Sequence, residues 1–309
     1  MGKLVRYATD KDYRFSVNDA HGLYRNMPDD EYLKRKFHAR LGRDLDLDNP
    51  VTFNEKLQWL KLYDRQPIYT TLVDKYEVKK YVADLIGEEY VIPTLGVWDR
   101  FEDIDFNALP DQFVLKCTHD SGGLAICRDK ASFDIERAGE RIRASLKRNY
   151  YYRFREWPYK HVKPRVIAEA YRTDTPDSTE LTDYKFYCFH GRPDCVMVCL
   201  DRGTGDTKFY FFDREWQLKR YNKRGKAAPP GFTIPKPEGM DEMFRIAETL
   251  SSGIPSVRID LYQSSGQILF GEYTFYPLSG FEPNRLPEAD LYFGNQIDLS
   301  KVKKTDFRH

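Results

Sequence analysis

The chain has 309 residues, 41% hydrophobic and 15% aromatic, enough for one large domain or two to three lobes around a real core. Lys plus Arg number 49 and Asp plus Glu 48, so the formal net charge is only +1. That argues against a nucleic-acid binder held by a general electrostatic footprint. The five cysteines (117, 127, 188, 195 and 199) form no CxxC pair, and no His or Cys cluster completes a zinc site around Cys195 and Cys199. Buried reduced thiols in a cytosolic protein are expected. The N-terminus lacks an apolar signal region, and Arg6 stands where myristoylation needs Ser or Thr. No run approaches a membrane span, so a soluble cytoplasmic protein is expected.

Residues 1–50 are polar and helix-prone, with Asp29, Asp30 and Glu31 opening a helix that runs to about Leu41. Thr52 and Glu55 are spaced as a capping box for a helix whose apolar face carries Leu57, Trp59, Leu60 and Leu62. Asp74 is expected to cap the next helix, 75–86, which stops at Gly87. A short strand is expected to begin at 90–93 and continue through 95–98. The stretch 113–119 predicts a strand with Lys116 inside it; Ser121, Gly122 and Gly123 form the turn, and 124–127 returns antiparallel. Such a loop suits a phosphate cradle, with Lys116 adding a point charge, and equally suits a plain hairpin turn.

An amphipathic, basic helix is predicted over 135–148, followed by the aromatic and basic segment 149–159. That segment fits either a stacking surface for a sugar or base, or a loop packed on the core. A strand over 165–171 carries Glu169 near its end. Segments 184–189, 194–200 and 209–213 read as a meander, 214–238 as a polar, Pro-rich excursion, and 240–250 as an amphipathic helix. Beyond Gly280, 283–290 and the basic tail from Lys301 read as loops.

The stretch 254–280 carries the densest chemistry. Residues 257–262 and 268–275 alternate as paired strands with Ser264, Ser265 and Gly266 as the turn. Asp260 and Glu272 then lie close together near the strand ends, a pair suited to Mg²⁺. Arg258 leaves the strand on the same face as Asp260. The same pattern fits an ordinary hairpin with a solvated polar face.

The series 53–60 (FNEKLQWL), Asp74-Lys75-Tyr76, 113–116 (FVLK), 183–186 (DYKF), 257–262 (VRIDLY) and 271–275 (GEYTF) resembles the ATP-grasp superfamily, and within it the TupA-like proteins of bacterial polysaccharide gene clusters. The match runs from about residue 30 to 295. The resemblance implies an α+β fold of two lobes clasping ATP: a helical N-terminal segment (1–70), a small lobe with the glycine-containing loop (71–172) and a large lobe with the metal strands (173–309). It implies ATP contacts from Lys75, Lys116, Ser121, Gly122, Gly123, Glu169, the hinge Ala170, Tyr171 and Arg172, Asp183 and Lys185. Mg²⁺ would be held by Asp260 and Glu272, with Thr274 standing where many relatives carry Asn. Arg258, Lys116 and His119 are the candidate catalytic groups, and Arg153, Arg155 and Tyr159 the candidate substrate contacts.

The implied reaction is ATP-dependent ligation of a carboxylate to an amine through an acyl phosphate. The expected partners are a uronic acid of a surface polysaccharide and an amino acid or small amine. A glycosyltransferase with an Asp-x-Asp site (Asp103/Asp105, Asp44/Asp46 or Asp46/Asp48) and an idle ATP-grasp scaffold are the alternatives.

Overall fold

The computed structural model describes residues 2–179, 181–201 and 206–305. Met1 and the end of the basic tail, 306–309, lie outside the described residues. The polar N-terminal stretch folds as helices α1 (Lys3–Thr9), α2 (Lys11–Ala20) and α3 (Asp29–Leu41). Helix α4 (Phe53–Tyr63) starts where the capping box is expected: Thr52 accepts from the Glu55 amide and Glu55 accepts in return from the Thr52 amide. Next come α5 (Ile68–Val73), α6 (Glu77–Ile86), β1 (Thr94–Trp98), β2 (Phe113–Cys117), β3 (Leu124–Cys127), α7 (Ile135–Leu146), α8 (Tyr151–Phe154) and β4 (Val166–Ala170). The meander follows as β5 (Asp183–Phe189), β6 (Arg192–Leu200), β7 (Lys208–Phe212) and β8 (Leu218–Lys219). The chain ends with α9 (Lys223–Ala227), α10 (Met240–Ser251), β9 (Ser256–Ser264), β10 (Gln267–Thr274) and α11 (Pro287–Asn295).

These strands form two antiparallel sheets, one of four strands in the order β1-β4-β2-β3 and one of six in the order β10-β9-β5-β6-β7-β8. Strand alternation explains how each sheet presents one chemical face to the other. In β5, Phe186 meets Phe244 of α10 edge-on at 5.0 Å, while its neighbour Tyr187 stacks on Phe293 of α11 at 5.3 Å. The sheet is therefore covered on both sides, and Asp183 and Lys185 share the Tyr187 face. In the four-stranded sheet, Phe113, Leu115, Cys117, Ala125 and Cys127 pack with Ile142 of α7. Val114, Lys116 and Glu169 then fall on the opposite face. All five cysteines are free and buried. Among the described residues no helix is long and apolar enough to cross a membrane.

Four expectations are corrected. Helix α6 begins at Glu77, because the Asp74 carboxylate holds the Tyr76 and Glu77 amides in a turn that leaves Lys75 ahead of the helix. The strand expected from residue 90 starts at Thr94, after a single 3-10 turn over Glu88–Tyr90. The β9–β10 turn is only two residues long, with Ser265 and Gly266 both at positive φ (49° and 84°), as a tight hairpin of this twist requires. The stretch 283–290, read as a loop, contains the start of α11, with Pro287 in its first turn and Ala289 and Phe293 buried.

Helix α11 lies hard against the start of α4. Lys56 donates to the Gly294 and Ile297 carbonyls at 2.9 and 2.8 Å, and the Asn54 amide donates to Asp290 at 3.1 Å. A Cβ at Gly294 would run into the Val51 carbonyl and lie 2.9 Å from the Phe53 nitrogen. Gly294→Ala is therefore expected to cost about 1–3 kcal/mol of stability. A lowered urea midpoint with an unchanged denaturant slope measures it.

Candidate active site

The polar faces of the two sheets meet across a cleft of about 220 Å³. On the six-stranded side, Lys185 of β5 is registered with Asp260 of β9, and Asp260 with Glu272 of β10, so the three groups form one row across three strands. Asp260 and Glu272 pair in the body of the hairpin rather than near its ends, beside the irregularity at Gly271. Arg258 forks onto Asp260, its Nε and a terminal nitrogen at 2.6 and 2.7 Å, and Lys185 also bonds to Asp260. Asp260 is buried, and burial works to raise its pKa; Arg258 first and Lys185 next outweigh that and lower it. Lys185 additionally lies 3.2 Å from Asp183. Glu272 is more open, with a side chain 39% exposed, and the Thr274 hydroxyl bridges it to Arg258 at 3.3 and 3.0 Å.

On the four-stranded side, Glu169 is clamped between two lysines. Lys79 reaches one carboxylate oxygen and Lys116 the other, each at 2.6 Å. Burial opposes the charge on Lys116, yet Glu169 first, then Glu272 and Asp183, raise its pKa. For Lys79, burial wins and the pKa is lowered. Lys75 donates to the Asp120 carbonyl at 2.6 Å and its amide to the Thr118 carbonyl at 3.1 Å, which ties α6 to the glycine loop. That loop is itself closed by the Asp120 carboxylate, which accepts from the Gly123 amide at 3.1 Å and from the Ser145 hydroxyl.

The cleft thus gathers Lys75, Lys116, Ser121, Gly122, Gly123, Glu169, Asp183, Lys185 and Glu272. Arg258, Asp260 and Thr274 stand immediately behind Lys185 and Glu272. Lys79 and the apolar Val78, Ile92, Tyr262 and Phe270 also line it, and sequence reading missed all five. The one signal for Lys79 was its place a helical turn after Lys75. Of the expected hinge, Ala170 and Tyr171 do not line the cleft: the Ala170 amide donates to the Pro93 carbonyl at 3.0 Å, and Arg128 donates to the Tyr171 hydroxyl at 3.2 Å. Arg172 is partly buried and does not line the cleft.

Two expectations are corrected. His119 is buried with its Nε2 3.1 Å from the Ser145 and Arg148 carbonyls, so that nitrogen is a donor tying β2 to the end of α7 and serves no reacting amine. Arg155, 1% exposed, pairs with Asp29 at 3.1 Å, donates to the Tyr24 carbonyl at 2.7 Å and covers the Tyr32 ring at 4.3 Å. It locks the N-terminal helices and is closed to a substrate. Arg153 is exposed and Tyr159 half-buried against Tyr150 at 4.9 Å; Tyr159 faces Glu156, Glu272 and Arg258 electrostatically. The three Asp-x-Asp pairs lie in local turns and pairs: Asp103 pairs with Arg100, Asp105 accepts from the Asn107 amide, Asp46 accepts from the Asp48 and Asn49 amides, and Asp44 contacts His38.

Glu272 is open to a cation, whereas both Asp260 oxygens are engaged by Arg258 and Lys185, so other oxygens would have to supply most of the ligands. Among the described residues no group of three or more His, Cys, Asp and Glu could hold a metal. Two carboxylates on paired strands suit Mg²⁺ when phosphate and water supply the remaining ligands. The surrounding lysines and the glycine loop suit the phosphates themselves.

Glu169 makes the cleft's own charges testable. Burial would raise its carboxyl, but Lys116 and then Lys79 hold it at about 2, below the ordinary 4.5. A depressed folded-state pKa gives stability that is fully present above pH 4.5 and lost as pH falls toward about 2. Glu169→Gln takes from Lys79 and Lys116, both half-buried, the carboxylate bonded to each and is expected to cost about 3 kcal/mol at neutral pH. Urea unfolding at a series of pH values should show the acid limb between those limits shrinking in the variant.

A family model described as TupA-like ATPgrasp matches residues 55–298. A comparison with curated proteins found no match. Among solved structures, the chain is similar to the ATP-grasp ligase PsnB complexed with minimal precursor, at 12% identity and TM-score 0.38, over 68% of this chain and 55% of that one. It is similar to D-alanine–D-alanine ligase from Bacillus anthracis complexed with ATP at 14% and 0.42, over 75% and 63%. The enzyme of that name from Helicobacter pylori aligns at 12% and 0.43, over 81% and 68%. The chain spans 55% of the first of these and 63% of the second, under two thirds of each. With the family match covering most of its length, the chain belongs to the TupA-like ATP-grasp family.

Proposed function

We propose that the chain is an ATP-dependent carboxylate–amine ligase. The observation that carries this reading is the convergence of Lys75, Lys79, Lys116 and Lys185 on one cleft that Glu272 lines, with its registered partner Asp260 behind it. In this reading Lys75 and Lys116 meet the α- and β-phosphates of ATP under the Ser121–Gly123 loop. Glu169 and the backbone of 170–172 meet the adenine edge, beside the apolar side chains of Val78, Ile92 and Phe270. Asp183 meets the ribose, and Lys185 a phosphate. Mg²⁺ held by Asp260 and Glu272 supplies positive charge to phosphate oxygens.

The reaction has two steps. A substrate carboxylate oxygen bonds to the γ-phosphorus while the bond from that phosphorus to the bridging oxygen breaks, releasing ADP and leaving an acyl phosphate. An amine nitrogen then bonds to the acyl carbon, phosphate departs, and the nitrogen loses a proton. In this reading Arg258, held by Asp260 and Thr274, stabilises the charge on the transferred group. The chain's own contribution is positioning and charge neutralisation.

The substrates we propose are the carboxylate of a uronic acid in a bacterial surface polysaccharide or its precursor and an amino acid or small amine. What supports this is the family resemblance, together with exposed Arg153 beside the aromatic pair Tyr150 and Tyr159. Arginine suits a carboxylate and aromatic faces suit a sugar ring.

With Mg²⁺-ATP, an amino-acid panel and glucuronic or galacturonic acid derivatives, ADP and phosphate release is expected only when acid and amine are both present. Arg258→Ala should lower that turnover by about 100- to 1,000-fold, with ATP still bound. Arg153→Ala should raise the acid's KM. A protein that binds no ATP but binds a UDP-sugar overturns the reading and favours the glycosyltransferase.

A further inference from the structure

One face of α4 reads the backbone that follows the metal strand. Asn54, Gln58 and Lys61 are spaced i, i+4 and i+7, so they lie along one side of the helix. All three are buried, and none is needed for an apolar core. The Asn54 amide group brackets Glu282, accepting from its amide at 3.1 Å and donating to its carbonyl at 3.4 Å. Gln58 donates to the Ser279 and Gly280 carbonyls at 3.2 and 2.8 Å. Lys61 donates to the Ser279 carbonyl at 2.7 Å, to the Phe154 carbonyl at 3.0 Å and to Gln58 at 2.8 Å, which uses all three of its N–H groups.

The backbone held this way is strained. Leu278 (φ 48°, ψ 30°) and Ser279 (φ 56°, ψ 23°) are left-handed, and Gly280 follows at φ 66°. Two consecutive non-glycine residues in that region persist only where their surroundings over-determine them. The Leu278 side chain supplies no compensation, being 64% exposed. The turn's product is instead the Ser279 hydroxyl, which donates to buried Glu156 at 2.5 Å. Glu156 in turn faces Lys61, Arg153 and Glu272 electrostatically, and Tyr159 faces both Glu156 and Glu272. The turn follows the end of β10 at Thr274 and is tied to the segment that carries Arg153 and Tyr159 by Lys61, which bonds to both the Ser279 and Phe154 carbonyls, and by the Ser279–Glu156 bond.

We propose that Asn54, Gln58 and Lys61 are positioning residues for the acceptor side of the site: they hold 278–280 left-handed, and the Ser279–Glu156 bond then fixes the wall formed by 153–159 beside Glu272. This rests on the ligase reading. It assigns the polar face of α4 a role on the Glu272 side of the cleft. It predicts that the carboxylate-bearing acceptor, and not ATP, registers loss of the clamp.

The test uses the full chain with Lys61→Met, and Ser279→Ala as the milder variant that removes only the bond to Glu156. Amide hydrogen exchange without nucleotide is expected to quicken over 275–282 and 153–159 in Lys61→Met, while β2, β3 and β4 keep their protection. ATP affinity should stay within about twofold, and acceptor-dependent ADP release should fall by about tenfold to 100-fold in kcat/KM for the acid in both variants. Unchanged acceptor kinetics in both variants overturns the proposal. So does a parallel loss of ATP affinity, which would make the clamp a support of the whole cleft. If Lys61→Met does not fold, Ser279→Ala alone decides by the same split. A wild-type chain that binds no ATP overturns the ligase reading, and this role with it. That outcome differs from failure of the clamp, where wild type and variants are equally active.

Discussion

Asp260 is an acid buried to 1% exposure with Arg258 and Lys185 upon it, and the rest of the site is arranged around that cluster. Withdrawing such charges from water costs several kcal/mol per ion, and well-packed apolar side chains would serve stability as well or better. Stability alone therefore does not account for them. Their geometry does: register places Lys185, Asp260 and Glu272 in a row, and Arg258 two residues from Asp260 on the same face. The next registered pair along that face, Tyr187 opposite Arg258, begins the aromatic core under α4 and α11. A single face of three strands is thus polar at the cleft and aromatic behind it, and the aromatic half excludes water from the charged half.

The opposing sheet solves its own electrostatic problem with Glu169. Lys79 and Lys116 converge on the cleft, and without a counter-ion they would repel across a dry space. Glu169 gives each of them one carboxylate oxygen and so screens the two from each other. An incoming phosphate would compete with Glu169 for Lys116, whose partners already include Glu272 and Asp183 from the other sheet. The two sheets are therefore coupled through charge at Lys116.

What the sequence made legible was local. The capping box at Thr52, the α10 helix and the antiparallel β2–β3 and β9–β10 pairs were readable because their signals lie within a few residues: an N-cap acid or hydroxyl, a 3.6 period, strict alternation about a turn. The row of Asp260 and Glu272 followed from the same alternation. What was not legible depended on distant partners. Arg155 looked like a surface arginine because its acceptors, the carbonyls of Tyr24 and Met27 and the carboxylate of Asp29, lie about 130 residues away in sequence. His119 carried no mark of the Ser145 and Arg148 carbonyls, in and just past α7, that hold it. Helix α11 was hidden because Pro283 and Pro287 signal a loop, and Pro at a helix's first turn gives the same letters.

The motif at 53–61 shows how those two kinds of information meet. Its apolar positions told of a helix; its polar positions, Asn54, Gln58 and Lys61, contact backbone more than 200 residues on. Backbone acceptors leave no trace in the sequence they belong to, so such a clamp cannot be read from 276–282 alone. Strain supplies the missing trace in the structure. A left-handed Leu278 with an exposed side chain has no local reason to exist, and the three buried polar residues of α4 bond to the backbone that follows it, at Ser279, Gly280 and Glu282. Polar groups buried at a helix face without an apolar purpose, aimed at a strained turn beside two metal-suited carboxylates, join the N-terminal helices to the chemistry of the cleft. Helix α4 supports more than its own core: the segment bonded to Ser279 through Glu156 can be no better placed than the turn that α4 holds.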